Sequence, residues 1–161
     1  MNDPRSLKTE PVTVTERPAG VAQAESSIQR EAGSYRDRNG SVFYRDGRVF
    51  RLLSARALEN WQLLVRQPCA VLVETSEVDA RAVGVDLGGW AGVLEHERIP
   101  FVSYPYEWSF GMLRDAALLH LDLMRRALAA GMILKDSSAY NIQWNGTQPV
   151  FIAIPSFEPL G

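Results

Sequence analysis

Asp136 and Asn141 are the residues whose types and spacing could carry out chemistry. Asp136 follows a short apolar run at 132–134, and a second apolar run begins directly after Asn141. In phosphoryl transfer, such an Asp accepts the proton of the attacking hydroxyl, and a nearby Asn holds a metal ion. Asp, Ser and Asn also form turns by hydrogen bonding to their own backbone. The spacing alone therefore leaves a catalytic and a structural role open.

A long amphipathic helix and a hairpin are predicted to position these two residues. Ser109 is a good N-cap, and Gly131 supplies the positive φ that ends a helix. Residues 142–154 contain two apolar runs around Asn145 and Gly146, which is typical of a hairpin. The apolar residues at helical spacing predict the buried face of the helix, namely Phe110, Leu113, Ala117, Leu121, Met124 and Leu128, widened by Leu119 and Leu123.

The stretch before the long helix predicts a small, mostly antiparallel sheet. Runs at 41–45 and 48–53 flank Asp46 and Gly47, a strong signal for a type I′ hairpin, because that turn needs positive φ at both central positions. Ser54 is predicted to cap a helix of about twelve residues that ends at Pro68. A buried strand is expected to follow at 69–73.

The segment 74–102 gives weaker signals. Residues 83–89 predict a strand that ends in a glycine turn, and they lack the glycine spacing of a nucleotide-binding loop. Strands are also expected at 93–94 and 99–102, joined by a charged turn in which His96 is exposed. Residues 104–108 form an aromatic connector, whose rings either stack on a planar ligand or fill the junction between two layers.

Composition excludes several classes of protein. The 161 residues are 46% hydrophobic, enough for one domain with a core, and the net charge of −2 provides no basic footprint for nucleic acid. The single Cys69 cannot form an intramolecular disulfide, and the two histidines lack zinc-type spacing. Neither a membrane span nor a signal peptide is recognisable, so a cytoplasmic protein is expected. Residues 1–38 lack sustained periodicity and are expected to form a mobile tail.

Three longer segments resemble a known family. They are SYPYEWSF at 103–110, LKDSSAYNIQ at 134–143 and FIAIPSFE at 151–158. The order of helix, strand, Asp-x-x-x-x-Asn loop and hairpin is similar to the catalytic half of protein kinases and aminoglycoside-type phosphotransferases. The segments themselves resemble the kinase-like N-terminal region of bacterial class I S-adenosylmethionine-dependent methyltransferase-type proteins, without the methyltransferase domain.

This resemblance implies an α+β domain with a truncated protein-kinase-like fold over residues 39–161. A mostly antiparallel small lobe would cover 39–103, a linker 104–108 and a partial large lobe 109–161. The partial large lobe would contain one long helix and a catalytic-loop β-hairpin.

The resemblance also implies roles for individual residues. Asp136 would be catalytic, and Asn141 would bind a metal ion. Lys135 would contact a phosphate or pair with Asp136. Ala153 stands where the family's metal-binding Asp is expected, and a methyl group cannot ligate a metal. Glu158 would be a replacement metal ligand, and the ring of Tyr106 would stack on a cofactor. Arg51 has two possible roles. It is either the cation that replaces a missing small-lobe lysine or an exposed strand residue.

Three functions follow from these expectations. The favoured one is a degenerate, non-catalytic kinase-like module that binds a nucleotide or a protein partner, with binding of magnesium and ATP weak or lost. An active metal-dependent phosphotransferase using Asp136 is the second. The third is a docking module for a separate methyltransferase domain, for which uncovered apolar surface predicts a homodimer or a heterocomplex. S-adenosylmethionine is not expected to bind, because the methyltransferase domain is missing.

Overall fold

An antiparallel sheet dominates the first half of the computed structural model, which describes residues 28–66 and 72–161. Asp46 and Gly47 have φ of 51° and 76°, which confirms the predicted hairpin turn. The sheet has the order β1-β2-β3-β5-β4, and its strands are β1 (Gln29–Arg30), β2 (Gly40–Arg45), β3 (Arg48–Leu53), β4 (Thr75–Val78) and β5 (Gly92–His96).

The sheet begins earlier in the chain than the sequence indicates. β1 pairs with β2, and a 3₁₀ turn follows at Ala32–Arg36. The Ser34 hydroxyl of this turn accepts a hydrogen bond from the Val42 N–H at 3.1 Å. The end of the predicted tail is therefore folded against the sheet. Residues 1–27 lie outside the described part of the chain, as do the predicted helix end at Pro68 and most of the strand predicted at 69–73.

The segment between β4 and α2 differs from its prediction. β4 itself was not expected, residues 83–89 form turns without a strand, and no strand covers 99–102. Gly84 and Gly88 have positive φ, so the glycines do mark turns. The apolar residues around these glycines pack on the outer face of the sheet rather than pairing as a strand, since Val83, Val85 and Leu87 contact the small core there.

His96 is not the exposed turn residue that the sequence predicts. β5 continues through His96, which pairs with Val49 of β3 and Thr75 of β4, and only 7% of the residue is exposed. The neighbouring Glu95 lies on the opposite face, where it forms an ion pair with Arg48. The run of charged residues therefore reflects alternation along a strand and not a turn.

Helix α1 (Ala55–Leu64) confirms the predicted N-cap. The Ser54 hydroxyl accepts a hydrogen bond from the Ala57 N–H at 3.2 Å. Trp61 and Leu64 are buried, and the helix is 10 residues long, somewhat shorter than predicted.

Helix α2 (Phe110–Ala129) is confirmed, but of its predicted apolar face only Leu119 and Leu123 are buried. Ser109 caps it by accepting a hydrogen bond from the Met112 N–H at 3.3 Å. Spacing could not choose the face, because the helix carries apolar side chains on two sides, and the side with alanines allows the closer approach to the core. The buried residues are Ala116, Leu119, Leu123 and Ala127. The exposed residues of the predicted face are Phe110, Leu113, Ala117, Leu121 and Leu128.

Two short strand pairs complete the fold. β6 (Met132–Leu134) pairs with β9 (Phe157–Pro159), and β7 (Ile142–Asn145) forms a hairpin with β8 (Gln148–Phe151). The main core lies between the two helices, these strands and the inner face of the sheet, and a smaller core covers the outer face. The α+β class is thereby confirmed, whereas the relation to kinase-like folds stays a prediction. Within the described residues, no helix is long and apolar enough to cross a bilayer.

Candidate functional site

A cleft of about 450 Å³ lies between the sheet and the β7–β8 hairpin. Its wall includes Arg51 from β3, His96 from β5, Tyr104 from the connector and Gln143 from β7, with Ile152 at the end of β8. Ligand sites in proteins are typically clefts of roughly 300–1,000 Å³ in which a few polar groups converge. The cleft is also lined by a second cation, Arg98, and by two carboxylates, Glu31 and Glu97. Its volume and this convergence of charged and polar groups make the cleft the candidate site.

Arg51 reaches across the cleft and joins the sheet to the hairpin. Its Nε–H donates to His96 Nε2 at 3.3 Å, and its Nη2 donates to the Ile152 carbonyl at 3.2 Å. Burial lowers the pKa of Arg51 from its ordinary value, although Asp37 attracts the charge. Arg51 forms no ion pair with any of the described residues. Arg51 is partly buried and is therefore not an exposed strand residue, whereas its role as a substitute for a small-lobe lysine stays a prediction.

His96 is fixed by hydrogen bonds on both ring nitrogens. Nδ1 lies 2.8 Å from Thr75 Oγ1, and that hydroxyl donates to the Val73 carbonyl at 2.8 Å. Because the hydroxyl proton is used in this way, Nδ1 must carry a proton, and Nε2 then accepts from Arg51. Burial, with a smaller contribution from the charge of Arg51, lowers the pKa of His96 to about 3. The ring is therefore neutral at physiological pH.

Asp136 and Asn141 come together in one loop beside the hairpin. The Asp136 carboxylate accepts a hydrogen bond from the Ser138 N–H at 3.3 Å, and the Asn141 side-chain amide donates to the Asp136 carbonyl at 3.2 Å. The Asn141 carbonyl in turn accepts from the Ile152 N–H at 2.9 Å. Ile152 therefore contacts both Arg51 and this loop, so the chain connects the two predicted parts of the site through a single residue.

The remaining predicted metal ligand lies in a different environment. Glu158 on β9 forms ion pairs with Lys135 at 3.7 Å and with Arg56 at 3.5 Å. Lys135 thus pairs with Glu158, and no ion pair joins it to Asp136. Ala153 follows Ile152 and contributes only a methyl group. In the described residues, no three His, Cys, Asp or Glu side chains group as metal ligands would. The donor set does not fit a divalent metal centre of the kind that the resemblance implies.

The aromatic connector contributes one ring to the cleft. Tyr104 lines it, while Tyr106 is 75% exposed and stacks on Tyr104 with ring centres 5.5 Å apart. Tyr106 can therefore support the ring of Tyr104 but does not itself line the cleft. Trp108 is buried and donates its indole N–H to the Ser103 hydroxyl at 2.9 Å, which fixes the end of the connector.

Sequence reasoning missed Gln143, which anchors the connector to the hairpin. Its Oε1 accepts from the Ser103 N–H, and its Nε2 donates to the Ser103 carbonyl, both at 3.0 Å. The side chain is buried, and in the sequence Gln143 stands between the apolar Ile142 and Trp144. A polar residue in an apolar strand is the signal that could have identified it, because a buried amide needs hydrogen-bond partners.

No protein-family model matches the chain. The chain is similar to the nodulation protein NoeA of Rhizobium meliloti (strain 1021), with 39% identity over 135 residues. The match covers 81% of this chain and 28% of NoeA, so the chain spans little more than a quarter of the length of that relative. The similarity relates this chain to one part of a longer protein.

Proposed function

We propose that this chain is a non-catalytic, kinase-like module that binds a nucleotide in the cleft between the sheet and the β7–β8 hairpin. The observation that supports this most directly is the charge of Arg51, which borders the cleft without an ion-pair partner among the described residues. A cation removed from water is costly unless an anion compensates it. A phosphate group would provide that anion, and Tyr104 offers a ring face for the base.

The same site argues against phosphoryl transfer. Transfer requires metal ions or cations that neutralise the charge developing on the phosphoryl group. Ala153 cannot bind a metal, and two basic residues already surround Glu158. The alternative, a metal-dependent phosphotransferase using Asp136, predicts magnesium-dependent release of phosphate from ATP that Asp136→Ala abolishes.

We propose that this chain derives from the kinase-like region of a methyltransferase-type protein. The three sequence segments that suggest it fall on the connector, the Asp136 loop and the strand ends around Ile152, all of which border or support the cleft. Methyl transfer is not part of this proposal, and S-adenosylmethionine is not the proposed ligand. A cytoplasmic location fits a chain whose single Cys69 cannot form an internal disulfide.

Thermal melting with ATP tests the proposal. A ligand present at a hundred times its dissociation constant stabilises the folded state by about 2.7 kcal/mol, which is easily detected. We expect ATP to raise the melting temperature of the wild-type chain, with or without magnesium, and Arg51→Gln to lose that response. Arg48→Gln, three positions away on the same strand, should retain it. A wild-type chain that responds to neither ATP nor ADP would refute nucleotide binding.

Docking of a methyltransferase domain is the second candidate, and the exposed face of α2 favours it. Phe110 is 83% exposed and Leu121 67% exposed, and they lie on the helix together with other exposed leucines. Apolar patches of this kind mark interaction surfaces. The matched relative has most of its length outside the similar part, so a covering domain on a longer or separate polypeptide is the proposed occupant.

Binding to the remainder of NoeA, expressed separately, tests this second function. We expect a one-to-one complex that Leu121→Asp disrupts. A chain that stays monomeric and does not bind this remainder would count against docking, and a homodimer would identify a second copy as the occupant instead.

A further inference from the structure

The guanidinium of Arg51 is held from two directions by neutral acceptors. His96 Nε2 takes the Nε–H, and the Ile152 carbonyl takes one N–H of Nη2. The other guanidinium N–H groups have no hydrogen-bond acceptor in the described part of the chain. Arginine presents its donors in a rigid planar fork that matches the oxygens of a phosphate. The guanidinium of Arg51 is therefore charged, held in one orientation, and left with N–H groups that can donate to a ligand.

His96 sets this orientation because its own ring cannot turn. Thr75 holds Nδ1 through a hydroxyl that is itself bonded to the Val73 carbonyl. β5 lies between β3 and β4 and pairs with both, so the backbone of His96 is also fixed. The lone pair of Nε2 consequently points in one direction. Arg51 is the group that meets it.

The surroundings of Arg51 also determine which ligand it can take. Asp37 and Tyr44 act on its charge, but neither forms an ion pair or a hydrogen bond with it. Two carboxylates line the cleft, but each is bonded elsewhere: Glu31 accepts from the Tyr44 hydroxyl and Glu97 from the Asn145 side-chain amide. Among the described residues, no carboxylate is therefore paired with the guanidinium. Ala153, next to the Ile152 carbonyl, contributes no oxygen from its side chain. Direct contact between the guanidinium and an oxyanion is the arrangement that these residues permit.

We infer that Arg51 binds a phosphate of the nucleotide directly, without a bridging divalent cation, and that His96 is the positioning residue that aims its guanidinium. This inference rests on the proposed nucleotide-binding function and specifies how the phosphate is held. It assigns His96, which lies in the wall of the cleft, a role that acts through Arg51.

Calorimetric titration with ATP and with adenosine, each in EDTA and in magnesium, tests both parts. His96→Leu removes the acceptor, whereas His96→Gln keeps a neutral acceptor on a side chain of similar reach. We expect His96→Leu to weaken ATP binding about tenfold, the scale of one lost hydrogen bond to a charged group. Adenosine binding should be unchanged, and His96→Gln should restore most of the affinity for ATP.

The matched control is His120→Gln. His120 is the other histidine of the chain, and its ring packs edge-on against Phe151 on the helical side of the fold. It does not line the cleft, so ATP and adenosine binding should both stay at wild-type values. Melting each variant without ligand verifies that it is folded at the titration temperature.

The outcomes separate this inference from the function on which it rests. If the wild-type chain binds no ATP, both are wrong. If Arg51→Gln abolishes ATP binding while His96→Leu leaves it unchanged, the nucleotide function stands and the positioning role is wrong. Equal losses for ATP and adenosine in His96→Leu would show a general structural effect and also overturn that role. Loss of wild-type ATP binding in EDTA would overturn direct contact without a metal.

Discussion

Acidification should destabilise the fold through His96, because this ring is neutral when buried and charged when exposed. Its pKa is about 3 in the folded chain, against 6.5 for an exposed histidine. Between these two values the unfolded chain binds a proton that the folded chain does not, so stability falls as the pH falls through this window. For these pKa values, lowering the pH from 7.5 to 5 costs about 2 kcal/mol.

Denaturant unfolding of the wild-type chain and of His96→Gln at several pH values measures this contribution. Carboxylates titrate in both proteins, so the difference between them isolates the histidine. At pH 7.5 the free energy of unfolding of His96→Gln should not exceed that of the wild-type chain. Between pH 7.5 and pH 5 the wild-type chain should lose about 2 kcal/mol more of this free energy than His96→Gln does.

Parallel curves for the two proteins would refute the reasoning. They would mean that His96 gains and loses its proton equally in both states, so the ring would not be buried against Arg51. Below pH 3 the difference should stop growing, because the folded state then binds the proton as well.

Two further predictions concern the helix face and the connector. Leu123→Ala should lower the free energy of unfolding by about 2–5 kcal/mol and Leu121→Ala by less than about 0.5 kcal/mol, because only Leu123 is buried. Denaturant unfolding measures both values, and equal effects would contradict the assigned face. Gln143→Leu should cost about 2–5 kcal/mol, since it leaves both backbone groups of Ser103 unpaired. Gln143→Glu should also destabilise, because a buried carboxylate cannot donate to the Ser103 carbonyl, and equal melting of all three proteins would exclude the anchor.

The elements that could be predicted from the sequence are those whose chemistry is local. A Ser that accepts from the third residue of a helix, or an Asp-Gly pair that accepts positive φ, acts through its own backbone. Ser54, Ser109 and the turn at Asp46 were therefore identified correctly. The pairing of Asp122 with Arg126 on α2 belongs to the same class, since both lie on one helix face.

The parts that could not be predicted depend on partners distant in sequence. His96 is buried because β3 and β4 flank its strand, and nothing in the run around it reveals those neighbours. The face of α2 was assigned correctly only at Leu119 and Leu123, because hydrophobic periodicity measures spacing and not contact. For the site, spacing brought Asp136 and Asn141 together correctly, but the pairing of Lys135 with Glu158 required β6 and β9 to be adjacent.

Introducing a carboxylate at position 153 should change how magnesium affects the binding of ATP in the cleft. Arg51 donates to the carbonyl of the preceding residue at 3.2 Å, so a carboxylate at 153 would lie in the field of the guanidinium. Without magnesium it would compete with the phosphate for that cation, and with magnesium it would supply an anionic ligand. We therefore expect Ala153→Asp to weaken ATP binding in EDTA and to recover it in magnesium, as measured by melting temperature. Ala153→Asn, which has the same size and no charge, should behave like the wild-type chain, and identical responses of the Asp and Asn variants would exclude electrostatic competition at Arg51.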